Sequence, residues 1–111
     1  MAFLAVRSTV GLSVTNASLA SPIELPTAGT PSARVTNAGT NASIFISFGT
    51  TAANAIAAAV IPTAGNAKMC VHLLPMETMI VVVPAGSTHV GYIGSDAGPT
   101  LAYLTTGTDN Y

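Results

Sequence analysis

His72 and His89 are the only side chains in this sequence that titrate near neutral pH. To move a proton or hold a metal, either would need a second histidine, a cysteine or a carboxylate at ligand-like or triad-like spacing, and neither has one. Both fall inside predicted strands and read as hydrogen-bonded sheet histidines. Cleavage of a glycosidic bond would need two carboxyl groups held roughly 5 to 10 Å apart in a cleft. The four carboxylates, Glu24, Glu77, Asp96 and Asp109, fall instead in predicted turns or tails, where such groups cap turns and meet water. Cys70 is the single cysteine. It can form neither an internal disulfide nor a thiolate pair around a metal, and it reads as a small buried apolar residue.

Other chemistries find no better footing. The glycines form no Gly-x-Gly-x-x-Gly and no Gly-Lys-Ser/Thr signature that would cradle phosphate, and no serine sits in a nucleophile elbow. A sugar-binding platform usually wants exposed Trp or Tyr, but the chain has no Trp. Tyr92 and Tyr103 fall within strands, as amphipathic sheet or interface residues. The expectation is a protein that is not an enzyme and needs no cofactor and no metal.

Charged residues make up 6% of the chain and hydrophobic ones 50%, against ~25% charged in an ordinary soluble domain. Solubility must then come from the many Thr, Ser and Asn residues, or from a partner surface that keeps an apolar face covered. The basic residues Arg7, Arg34 and Lys68 are scattered and the formal net charge is −1. No patch can neutralise several phosphates, so nucleic acid is not an expected partner. No apolar run reaches the ~18 to 20 residues of a bilayer span, so no membrane partner is expected either. The apolar start lacks a cationic segment ahead of it and is broken by Arg7, unlike a secretory signal. The Asn-Ala-Ser sequons at Asn16 and Asn41 accordingly read as chance.

The elements that must position these residues are short β-like runs, each bounded by Gly, Pro, Asn or Asp. The clearest is residues 43–48, where Ile44, Ile46 and Phe48 share one face by the period of two, which reads as a central strand. Residues 33–36 precede it, with Val35 inward and Arg34 outward. The link Asn37-Ala38-Gly39-Thr40-Asn41 makes the pair read as a hairpin. Residues 68–73, 79–83, 89–93 and 100–105 are further strands. Residues 11–15 and 21–25 are weaker candidates, whose Pro22 and Pro26 suit an edge. Seven or eight such strands predict an all-β antiparallel sandwich, jelly-roll-like, in one domain over residues 1–111.

Two segments read two ways. The alanines of residues 51–61 favour a short helix stopped by Pro62 and crossing the end of the sandwich, yet they equally suit a loop pressed against its neighbours. Residues 1–25 read either as an extended N-terminal arm or as first strands. As an arm, their irregularly spaced apolar residues Phe3, Leu4, Val6, Val10 and Leu12 would add a strand to a neighbour's open edge.

Three stretches carry a resemblance. They are Arg34-Val35-Thr36-Asn37-Ala38-Gly39 followed by Ala42-Ser43-Ile44-Phe45-Ile46-Ser47-Phe48-Gly49; then Val83-Pro84-Ala85-Gly86-Ser87-Thr88-His89-Val90; and last Thr100-Leu101-Ala102-Tyr103-Leu104-Thr105-Thr106-Gly107. In that order they resemble the strand, turn and closing-strand segments of small β-sandwich virion proteins of tailed bacteriophages. Residues 51–61 and 66–79 depart from that family's pattern as insertions. The resemblance implies a place in the virion, after assembly in the host cytoplasm, as a capsid decoration or cement protein or as a neck or tail adaptor. It implies the major capsid protein or other virion proteins as partners, and it transfers no catalytic residue. A homo-oligomer, with a trimer favoured, would let weak contacts act together. The expected assembly contacts are Phe3, Leu4, Val6, Val10, Leu12, Tyr92, Tyr103 and Tyr111. A glycan- or receptor-binding knob is the alternative.

Overall fold

Period-two alternation turns about half of the chain into strands, and the computed structural model describes the protein over residues 4–25, 30–65 and 70–108. Eight strands follow one another: β1 (Leu4–Val14), β2 (Leu19–Pro22), β3 (Pro31–Asn37), β4 (Ile44–Gly49), β5 (Val71–Leu73), β6 (Thr78–Val82), β7 (His89–Gly94) and β8 (Thr100–Thr108). One helix, α1 (Ala52–Ala58), stands between β4 and β5. The strands form two antiparallel four-stranded sheets, ordered β1-β8-β3-β6 and β2-β7-β4-β5. The pairs β1–β8, β2–β7, β3–β6 and β4–β5 are nested. The chain is thus one long hairpin ribbon, turning at α1 and wound so that its pairs alternate between the sheets. That is the order of a jelly roll, and the fold is the all-β sandwich the sequence predicts.

Apart from β4 and β5, which flank α1, strands adjacent in sequence therefore lie in opposite sheets, and the hairpin expected of β3 and β4 does not form. β3 pairs with β6 and β8, while β4 pairs with β5 and β7. The reason lies in Asn37, the last residue of β3, whose side chain is fully buried. Its Nδ2 donates to the carbonyl oxygens of Ala42, Leu73 and Leu74 at 2.9, 3.4 and 3.2 Å, and its Oδ1 accepts the Gly39 N–H at 3.0 Å. Bound in this way, residues 37–42 arch from one sheet to the other. Gly39 has no room for a side chain, because a Cβ there would strike the Thr100 methyl.

The core fills the space between the sheets. Val35 faces inward and Arg34 outward, as expected, and Ile44 and Ile46 of the central strand β4 are fully buried, with Phe48 packed partly buried beside them. Each fully buried Val, Leu or Ile stabilises the fold by about 1.5–3 kcal/mol. β1 runs along β8 from Leu4 opposite Thr108 to Val14 opposite Thr100. Residues 4–14 are thus a strand of this sandwich, not an arm reaching to a neighbour. A register shift between Ala5 and Thr9 breaks the alternation there, which accounts for the irregular apolar pattern.

Of the two readings of residues 51–61, the helix is realised over Ala52–Ala58. Thr51 caps it, its Oγ1 accepting the Asn54 N–H at 3.1 Å. The helix does not cross the end of the sandwich but lies on the outer face of the second sheet. Ala55 and Ala59 are fully buried there. They sit over Gly49 and Gly91, where any Cβ would run into the helix. A helix of seven residues is unstable alone, so this glycine seat is what holds it. The Ser18 hydroxyl pins its flank by donating to the Ile56 carbonyl at 2.7 Å.

Candidate functional site

The folded chain keeps its reactive side chains apart. Glu77 Oε1 accepts the Leu74 N–H at 2.8 Å and Asp96 Oδ1 accepts the Gly98 N–H at 3.4 Å, each closing its own turn. Glu24 is exposed beyond β2, and Asp109 lies outside the described residues. His89 Nδ1 meets the Thr88 hydroxyl at 2.8 Å. His72 is exposed on β5, where it stacks on Phe45 of β4 with ring centroids 4.5 Å apart and 8° between the planes. Among the described residues no three of His, Cys, Asp and Glu come together to hold a metal ion. No helix among them is long and apolar enough to cross a membrane.

Cys70 is half-buried rather than fully buried, with its Sγ–H directed at the Val60 carbonyl at 3.5 Å. Burial pushes the thiol pKa up, disfavouring the thiolate that would react. Iodoacetamide at pH 8 is therefore expected to label Cys70 several-fold more slowly in the folded chain than in urea. Equal rates would show that the fold does not shelter the thiol.

The expected assembly contacts separate in the structure. Leu12 is 2% exposed and Tyr92 8%. They are core residues and not surface contacts, because the alternation of β1 and β7 turns them inward. Burial also pushes the Tyr92 phenol pKa up. Val10 packs partly buried against the same core. Leu4 and Val6 lie on β1, while Phe3 and Tyr111 lie outside the described residues. Tyr103 is 42% exposed on the outer face of β8. Its ring lies over Gly11 of the neighbouring β1, with Cε1 3.8 Å from where a Cβ would sit.

Around Tyr103 extends the outer face of the first sheet. The register sets Tyr103 of β8 opposite Thr36 and Thr105 opposite Arg34 of β3, and sets Thr36 and Arg34 opposite Thr78 and Ile80 of β6, with Leu101 and Val82 next along their own strands. Hydroxyl pairs tie the strands together, Thr36 to Thr78 at 3.0 Å and Thr9 to Thr105 at 2.5 Å. Leu101 and Ile80 are each 47% exposed and Val82 64%. Arg34 of β3 is exposed on this face. Sequence reasoning found Tyr103 but missed Leu101, Ile80 and Val82. The signal was present, since every second residue of β6 and β8 must face outward and several of those are apolar.

Beyond β6 a groove of about 800 Å³ separates the two sheets. Phe48, Val71, Val81 and Pro84 form its apolar walls, and Ser47, Thr50 and Asn54 a polar end beside α1. Among the described residues, Cys70 is the only titratable one along it. Comparison with protein-family models, with curated proteins and with solved structures found no match for this chain.

Proposed function

We propose that the chain is a structural protein of a tailed-bacteriophage virion, a capsid decoration or cement protein that binds the major capsid protein across joints between subunits. The outer face of the first sheet is the observation that supports this most. It is a sheet surface on which Leu101, Tyr103, Ile80 and Val82 stand exposed among threonine hydroxyls, with Arg34 beside them. Such a face can be covered by another protein with little charge desolvation. Apolar side chains exposed together on one surface commonly mark a protein–protein contact. Jelly rolls recur among viral capsid proteins, in keeping with the resemblance carried by residues 34–49, 83–90 and 100–107. Affinity per copy need not be high, because symmetric copies bound to one particle reinforce one another.

The test is co-sedimentation of the purified chain with capsids assembled without it, followed by heating. The chain is expected to bind at fixed stoichiometry and to raise the temperature at which the particles open. Tyr103→Glu places a carboxylate in the contact and is expected to weaken binding about tenfold or more, a loss of at least ~1.4 kcal/mol. Circular dichroism checks that this surface variant still folds. Capsid binding indifferent to the new charge, or binding seen only on a glycan array, would overturn the reading.

A further inference from the structure

Each sheet has two edges, and three of the four are blunted. β2 is four residues long and ends in Pro22, β5 is three residues long, and β1 carries the register shift between Ala5 and Thr9. Short strands, prolines and irregular register are the devices by which sheets avoid pairing with strangers. β6 has none of them. Thr78-Met79-Ile80-Val81-Val82 contains no proline and no charge, and it pairs with β3 in unbroken register.

Its free side also presents bonding groups. The Asn37 N–H donates to the Glu77 carbonyl and the Val83 N–H to the Pro31 carbonyl, both at 2.9 Å. The odd-numbered residues of this stretch therefore bond to β3, and the N–H and C=O groups of Thr78, Ile80 and Val82 point the other way. No described strand pairs with them. With Ile80 and Val82 exposed alongside, the edge is a template for one more strand.

We infer that the occupant is β6 of a second copy of this chain. Antiparallel pairing about a two-fold axis sets Ile80 opposite Ile80 of the second copy and Thr78 opposite Val82, each pair exchanging both backbone bonds. Charge permits this. The edge carries none, and Arg34 lies one strand further in, so two chains of net charge −1 meet without like charges in contact. The added strand turns its own Met79 and Val81 over the groove walls formed by Phe48, Val71 and Pro84, and the symmetry makes that contact twice. Five residues of edge bury less than the ~1,200 Å² of a durable interface. The dimer is therefore a weak one, exchanging with monomer at micromolar concentration. An isologous join closes at two copies and does not build a trimer. The inference concerns the chain alone and stands whether or not the chain binds capsids.

Sedimentation equilibrium of the purified chain from low micromolar to millimolar concentration tests it, together with hydrogen exchange. The mass is expected to move from monomer to dimer. Protection of the Thr78, Ile80 and Val82 amides should rise with it, while the Met79 and Val81 amides, already bonded to β3, stay as they were. Ile80→Pro removes an outward N–H without taking a bond from β3 and is expected to weaken dimerisation at least tenfold. Ile80→Lys sets like charges opposite each other and should do the same with the backbone donor intact, which secures the test if the proline variant misfolds. Leu101→Lys, on the same face but away from the edge, should change nothing. A chain monomeric throughout, or a dimer indifferent to both Ile80 variants, would overturn the inference. So would edge amides protected only when capsids are added, an outcome that assigns the edge to another protein.

Discussion

Replacing Asn37 with alanine is expected to destabilise the fold by about 3 kcal/mol. The amide is fully buried, and it ties the arch of residues 37–42 to the end of β5 through Ala42, Leu73 and Leu74. Alanine leaves those carbonyls and the Gly39 N–H short of a partner, at ~1–3 kcal/mol per unsatisfied group, less whatever water and relaxation recover. Urea unfolding should show a lowered midpoint with little change in slope. Asn37→Asp sharpens the test, because it aims a carboxylate at carbonyl oxygens where an amide donated. Burial and those oxygens must raise that carboxyl's pKa in the folded chain above the ~3.9 of the unfolded one. The folded state then holds the proton more tightly, so stability is lost as pH rises through the raised value and regained on acidification. The aspartate variant should fall well below wild type at neutral pH and close part of the gap near pH ~4. Wild-type stability at neutral pH would show Asn37 to be a bystander.

Gly91→Ala is expected to cost a similar amount, about 3 kcal/mol, through a different mechanism. Its new methyl would collide with the Ala55 carbonyl oxygen and lie 3.1 Å from the Ala59 Cβ, so a helix with no slack must lift from the sheet. Overpacking costs ~1–3 kcal/mol, and lifting also uncovers Ala55 and Ala59. For a domain of this size the thermal midpoint should fall by roughly 4 °C per kcal/mol. Gly49→Ala meets the same helix, with its Cβ 2.5 Å from the Ala55 nitrogen. The double variant should therefore lose less than the sum of the singles, since the helix lifts only once. Gly98→Ala, with nothing within 4 Å, is the control and should be near neutral. A Gly91→Ala protein that melts with wild type would mean that the close seating of α1 is not required.

These positions also show how far the fold was legible in the residues. Alternation is local, so Val35 inward, Arg34 outward and the buried pair Ile44 and Ile46 could be read directly. Sheet assignment is not local. Asn37 to Asn41 has the chemistry of a tight turn whether it closes a hairpin or arches between sheets, and only the carbonyls of Leu73 and Leu74 decide which. The helix was undecidable for the same reason: its support is Gly49 and Gly91, and the second of these lies far along the chain. β1 could be read either as an arm or as a first strand because its shifted register hides the period of two. Of the site, Tyr103 could be found from its type and strand. Alternation alone turns Ile80 and Val82 outward, but that β6 is an edge is a property of the whole sheet, which no stretch of five residues can reveal.

The pairing of Leu4 with Thr108 brings both ends of the described chain to one corner. A linker joined at Leu4 or at Thr108 would leave from the same spot, and a short bridge between these two residues would circularise the sandwich with little strain. Cargo hung there could be displayed without crossing the sheets, leaving both broad surfaces unobstructed.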